Sequence, residues 1–181
     1  MTTQIDTDRP ENTWVIGYLC SLEMRSGSNP RDRYSCSPDS VSDHNGLSTH
    51  PDLIIRLWDE ITAELPVRCE WVVCGHPALV RPDSGIVFAF ATATFTYALR
   101  LRPAARAELA AAALVKANVM ADMTNLSGKD RENYVKGRSG DVWEYGNGST
   151  LDIRTIGEHW VFGRFLEDEA RWCKSAYDFA A

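Results

Sequence analysis

The stretch Ile86-Val-Phe-Ala-Phe-Ala-Thr-Ala-Thr-Phe-Thr-Tyr-Ala-Leu-Arg-Leu101 decides the fold. It is dense in β-branched and aromatic residues, which suit a pleated, packed surface. It is too long for one ordinary strand of about 5–6 residues. A break near Thr92-Ala-Thr94 turns it into a hairpin of 86–91 and 95–101. Phe95, Tyr97, Leu99 and Leu101 then share one face, with Arg100 and Arg102 on the other. Just upstream, Pro82-Asp83-Ser84-Gly85 is a turn signal, because proline presets φ and glycine supplies a positive one.

Toward the N-terminus, 69–74 and 78–80 read as a strand interrupted at Gly75-His76-Pro77. Before it, Leu53, Ile54, Leu57, Trp58, Ile61 and Leu65 recur at helical spacing, so 50–65 is a helix that Pro66 ends. Thr49 with Asp52 resembles a capping box. Asp52, Asp59, Glu60 and Glu64 occupy the opposite face. Residues 13–24 read as a strand rich in β-branched and aromatic residues, with Gly17 as a bulge. Residues 1–12 read as a frayed arm. Residues 25–48 read as an irregular loop that Tyr34 and Val41 could tack down.

Toward the C-terminus, Pro103 opens an Ala- and Leu-rich helix over 104–124, small-faced enough to lie on a sheet. A polar insertion near 125–156 follows, carrying Lys129, Arg131, Lys136 and Arg138. Within it, 142–155 reads as a second hairpin around Gly146-Asn-Gly-Ser149. His159–Phe165 reads as a strand and 167–180 as a closing helix. Its acidic start, Glu167, Asp168 and Glu169, suits the positive end of the helix dipole. Strands in runs joined by short turns imply a mainly antiparallel sheet. The expected class is α+β, with about three helices packed on that sheet, in one domain spanning 1–181. The expected core joins Ile54, Leu57, Ile61, Phe88, Leu99, Leu101, Val161 and Tyr177.

Part of this pattern resembles the small α+β domains called YjbR or MmcQ-like. The shared features are Leu65-Pro66 at a helix end, Ala98-Leu-Arg-Leu-Arg-Pro103 closing a meander, His159-Trp160, and Ser175-Ala-Tyr177 in the last helix. They span about half the chain; residues 1–48 and an insertion near 120–156 depart from the pattern. For some members the resemblance implies nucleic-acid binding.

Composition narrows the function. The chain has 181 residues, 19 Lys+Arg and 25 Asp+Glu, a formal charge of −6. That balance opposes the counterion-release term that drives nucleic-acid binding, although Tyr134, Trp143 and Tyr145 lie near the basic group at 129–138. No run reaches the roughly 18 apolar residues of a membrane span, and from the polar, acidic start the expectation is a cytoplasmic chain or one cut from a longer precursor. Five irregularly spaced cysteines, Cys20, Cys36, Cys69, Cys74 and Cys173, favour reduced thiols.

Catalytic constellations are missing. Cys69-x4-Cys74-x-His76 has the residue types of a zinc site, but in a strand positions 69 and 74 point to opposite faces. No metal and no cofactor is expected. Cys74 beside His76 imitates a nucleophile–base pair without anything to lower the thiol pKa. There is no Gly-x-Ser-x-Gly elbow and no phosphate-binding loop. Trp172 is either a boundary residue or an exposed anchor.

The function expected is a non-catalytic protein-binding module, an inhibitor of a basic protein partner in the general manner of bacterial immunity proteins. Its contacts would be Asp59, Glu60 and Glu64 with Trp143 and Tyr145, since acidic charge speeds encounter with a basic target. The alternatives are a small enzyme with a pocket around His76, Glu158 and His159, and a YjbR-like nucleic-acid-binding protein.

Overall fold

The computed structural model describes residues 5–26, 49, 51–92, 96–139, 159–163 and 168–181. The chain is α+β with an antiparallel sheet. It divides into two compact units, one of residues 1–100 with 164–181 and one of residues 101–163. Among the described residues there are five α-helices, against about three expected, and one π-helical turn.

In the first unit, β1 (Glu70–Val73), β2 (His76–Val80), β3 (Val87–Thr92) and β4 (Thr96–Arg100) form a meander in sequence order. The hairpin read from residues 86–101 is present, with Thr92 opposite Thr96 and Ala89 opposite Leu99. The Pro82–Gly85 turn is present too: Gly85 has φ +67, and the amide of Arg81 donates to the carbonyl of Ile86 at 2.9 Å. Every residue of β2 and β3 is buried. Layers on both faces of a sheet remove the usual in–out alternation and leave a continuous apolar run.

The interrupted strand at 69–80 is instead a tight hairpin. Val73 pairs with His76, leaving a two-residue turn of Cys74 and Gly75 with φ of +49 and +78. Positive φ at both central residues matches the right-handed twist of the flanking strands. The sequence hid this turn because a cysteine fills a position that Asn, Asp or Gly usually takes.

The expected strand at 13–24 is a helix, α1 (Pro10–Ser26). Asn12, Val15 and Leu19 are buried, spaced three and four apart, and the Trp14 and Tyr18 rings stack at 4.9 Å. Burial of that stripe outweighs the modest helix penalty of the β-branched residues. Nor do residues 5–12 fray. Ile5 is buried, and the amide of Asp6 donates to the carbonyl of Gly85 at 3.1 Å. The Asn12 side chain completes the fastening: its amide nitrogen donates to the carbonyls of Asp6 and Gly85, and its oxygen accepts from the amide of Val87.

The predicted helix at 50–65 begins as α2 (Pro51–Ile55) and continues as a π-helical turn over Arg56–Glu60. The Thr49 hydroxyl donates to the carbonyl of Ala91 at 3.1 Å. At the other end of the unit, α5 (Glu169–Phe179) packs on β3 and β4 and buries Trp172, Cys173, Ala176 and Tyr177. Trp172 is therefore a core residue and no exposed anchor. Asp168, just before α5, takes φ +58 without capping the helix through its side chain.

The second unit contains α3 (Pro103–Met123), α4 (Gly128–Ser139) and the strand β5 (Trp160–Gly163). The first helix starts at its proline as expected. Its described partner is α4, which lies within the polar insertion expected near 125–156. Arg131 of α4 pairs with Asp122 and donates to Asn118 Oδ1 at 3.2 Å. Few apolar residues in α4 left no periodic signal to read. Of the irregular loop expected at 25–48, residues 25 and 26 belong to α1; residues 27–48 and the hairpin expected at 142–155 lie outside the described residues. All eight residues named for the core are buried, and no helix among the described residues is long and apolar enough to cross a membrane.

Candidate docking surface

The α2 segment is two-sided. Leu53, Ile54, Leu57, Trp58 and Ile61 are buried, and the Trp58 indole donates to the carbonyl of Ala78 on β2 at 3.1 Å. The amide of Ile61 donates to the carbonyl of Arg56 at 3.0 Å, five residues back, which is the π-helical bond. Leu57, Trp58 and Ile61, spaced one, three and four residues apart, all reach the interior. The end is closed by Thr62 Oγ1 donating to the carbonyl of Trp58 at 2.7 Å.

Asp52, Asp59, Glu60 and Glu64 are exposed. Among the described residues, no ion pair engages Asp59, Glu60 or Glu64. Arg56, the nearest cation in the segment, is drawn elsewhere. Its Nε donates to Glu169 Oε1 at 2.9 Å, and the buried Tyr97 hydroxyl donates to the same oxygen at 3.1 Å. Burial, with the Glu169 carboxylate beside it, pushes the Tyr97 hydroxyl pKa upward and keeps it a donor. This three-part link pins the π-helical turn to α5 and β4 and leaves the outer face acidic. Beyond Glu64 lies an open groove of about 290 Å³ lined by Thr62, Leu65, Pro66, Val67, Arg68, Cys69 and Glu70. Val67 is exposed there, and Arg68 is paired with Glu70 at 3.2 Å.

Trp143, Tyr145 and Glu158 lie outside the described residues. His76 is sealed, 3% exposed, with no hydrogen-bond partner on either ring nitrogen, and burial pushes its pKa down to about 4. An imidazole closed off in this way cannot reach a substrate. His159 belongs to the second unit and is half-buried.

Cys74 is bonded to Cys20, so the reduced-thiol reading is corrected for this pair. Its sulfur is occupied, which removes both the zinc triplet and the Cys–His pair. The two cysteines are 54 residues apart in sequence and meet only because α1 docks beside the β1–β2 turn. Cys69 and Cys173 are buried free thiols. Burial, helped by the Glu70 charge, pushes Cys69 up to about 12, and burial raises Cys173 as well. Neither is a thiolate at neutral pH. Among the described residues, no group of three or more His, Cys, Asp or Glu side chains could hold a metal.

The basic residues suggested for nucleic acid are partly used inside the fold. Arg100 is 7% exposed with its guanidinium 4.3 Å from the Phe179 ring centroid, and Arg131 binds Asp122. Sequence reasoning missed the Asn12 clip, the Cys20–Cys74 bond and the Arg56–Glu169–Tyr97 link. Each joins distant parts of the chain, and no local pattern marks them. Comparison with protein families, curated proteins and solved structures finds no match to this chain.

Proposed function

We propose that this chain is a non-catalytic module that binds a basic protein partner through Asp59, Glu60 and Glu64, as a stoichiometric inhibitor of the immunity-protein kind does. The observation that carries the reading is the two-sided α2 segment. Its apolar side is locked to the sheet, its one arginine is drawn into the Glu169 link, and its carboxylates stand exposed on a fixed backbone. Such a surface raises the encounter rate with a positive target and places its charges without an ordering cost. The neighbouring groove, with Val67 at its edge, offers the small apolar contact that a purely charged face lacks. Trp143 and Tyr145 are proposed as aromatic anchors, because buried aromatic rings dominate interface energetics.

We place the protein in the cytoplasm. The buried free thiols Cys69 and Cys173 suit a reducing setting, where a disulfide such as Cys20–Cys74 is usually transient or redox-sensing.

The test is affinity capture from the host lysate at low salt, with the wild type and the triple variant Asp59→Lys, Glu60→Lys, Glu64→Lys as baits. The expected result is a basic protein retained by the wild type at equimolar ratio and lost by the variant. With the purified pair, the association rate should fall as salt rises, because screening shortens the reach of the charges. Equal retention by both baits, or association indifferent to salt, overturns the assignment of this surface.

A further inference from the structure

The second unit exposes its large apolar residues on one helix, α3. Every fourth residue of this helix from its start is apolar and exposed: Pro103, Ala107, Ala111, Val115, Val119 and Met123. Val115, Val119 and Met123 are 66%, 52% and 72% exposed, and Met120 beside them is 38% exposed. Residues four apart are neighbours on a helix surface, so the row is one continuous ridge. These exposures hold with α4 in place. That helix is tied by Arg131 to Asn118 and Asp122, which border the ridge along one edge.

Size and chemistry limit what can cover this ridge. Its four large side chains, with Ala111 and Ala112 next to them, expose on the order of 500 Å² of apolar surface, a size at which a contiguous patch marks an interaction site. The ridge carries no charge and no hydrogen-bonding side chain. A polar partner surface would be stripped of water against it without compensation, so the matching surface is apolar as well. Two helices whose rows of every fourth residue interdigitate cross at about −50°, the commonest class of helix packing. A second α3 supplies such a row, and a two-fold pair presents the same patch from both sides. Two patches face to face remove on the order of 1,000 Å² from water, the lower bound for a specific interface.

We infer that this chain associates with a second copy of itself, as a two-fold dimer, through the Val115–Met123 part of the α3 ridge. An interface near that lower bound gives a weak, concentration-dependent dimer, with a Kd on the order of 10–100 μM. Each copy carries a formal charge of −6, so the two repel at long range and added salt strengthens the pair. That sign is opposite to the one expected for a basic partner on Asp59, Glu60 and Glu64. The two surfaces share no residue, and either can fail without the other.

The experiment is sedimentation of the full chain across that concentration range, at low and high salt, beside Val115→Glu and Val119→Glu. Both substitutions fall at exposed helix positions, so the monomer keeps its fold and its thermal midpoint. The wild type should pass from monomer to dimer as concentration rises, and more readily in high salt. Each variant should associate at least about tenfold more weakly, because its carboxylate is buried unpaired or faces its own mate. The triple variant Asp59→Lys, Glu60→Lys, Glu64→Lys should still dimerise. An amine-reactive crosslinker should yield a Lys116–Lys116 linked peptide, which only two copies can form. A monomer throughout the range, association indifferent to both variants, or association weakened by salt overturns the dimer. So does a dilute monomer whose thermal midpoint falls by several degrees in both variants, since residues 140–158 of the same chain would then be the cover.

Discussion

Asn12 is the buried polar residue whose removal should be felt most sharply. It is fully buried and makes three hydrogen bonds: to the carbonyl of Asp6 at 2.7 Å, to the carbonyl of Gly85 at 2.8 Å, and from the amide of Val87 at 2.9 Å. In Asn12→Ala the two carbonyls keep other partners, since Gly85 still accepts from the amide of Asp6, and Asp6 from that of Arg9. Each of those lost bonds costs about 0.5–1.5 kcal/mol. The Val87 amide is left buried without an acceptor, at about 1–3 kcal/mol. The sum is about 2–6 kcal/mol, a large share of a typical folding stability of about 5–15 kcal/mol. In urea the midpoint should fall by roughly 1–3 M with an unchanged slope. Asn12→Asp sharpens the test. It keeps an acceptor for Val87 but turns the donor toward two carbonyls into a carboxylate oxygen, so it should cost at least as much at neutral pH and recover in part as acid protonates it. A loss under about 0.5 kcal/mol in both variants, below the worth of even one hydrogen bond, would refute the reasoning.

Leu57 is fully buried in the π-helical turn, and Leu57→Ala should cost about 2–5 kcal/mol in the same denaturation assay. His76 predicts a pH effect with a definite sign. Its folded pKa of about 4 lies below its unfolded value, so the neutral ring is favoured by the fold. Stability from this group is complete above pH ~6.5 and is lost as pH falls toward 4, by on the order of 3 kcal/mol. The wild-type minus His76→Gln difference in stability, measured between pH 4 and 7, isolates it from the carboxylates; a flat difference would exclude the histidine. Tyr97→Phe should cost about 1 kcal/mol in thermal or urea unfolding, because Glu169 keeps its bond to Arg56; a neutral result would mean that the hydroxyl pins nothing.

Much of this protein was determined by local sequence. The meander at 86–101 was legible because β-branched and aromatic residues continue without a break and a Pro-Asp-Ser-Gly turn precedes them. The α2 segment was legible because its apolar residues recur at helical spacing. The same spacing put Asp59, Glu60 and Glu64 on the outer side, where they are indeed exposed. Burial of six of the eight named core residues, Ile54, Leu57, Ile61, Phe88, Leu99 and Leu101, follows from those two patterns, since amphipathic elements bury one side whatever their partners.

Tertiary structure decided the rest. Residues 13–24 carry strand propensity, and only docking of Asn12, Val15 and Leu19 on the sheet makes them a helix, because packing energy exceeds differences of a few tenths of a kcal/mol per residue. The turn at Cys74–Gly75 escaped notice because its cysteine is bonded to α1, a constraint that arises between residues 54 positions apart. Arg56 lies among Asp52, Asp59, Glu60 and Glu64 in the sequence, and only the arrival of Glu169 and Tyr97 beside it shows that its charge is spent inside the fold. Spacing along the chain carries information about faces and turns. Which distant groups come to share a hydrogen bond, a sulfur bond or a charge depends on how those faces pack, and no local pattern records it.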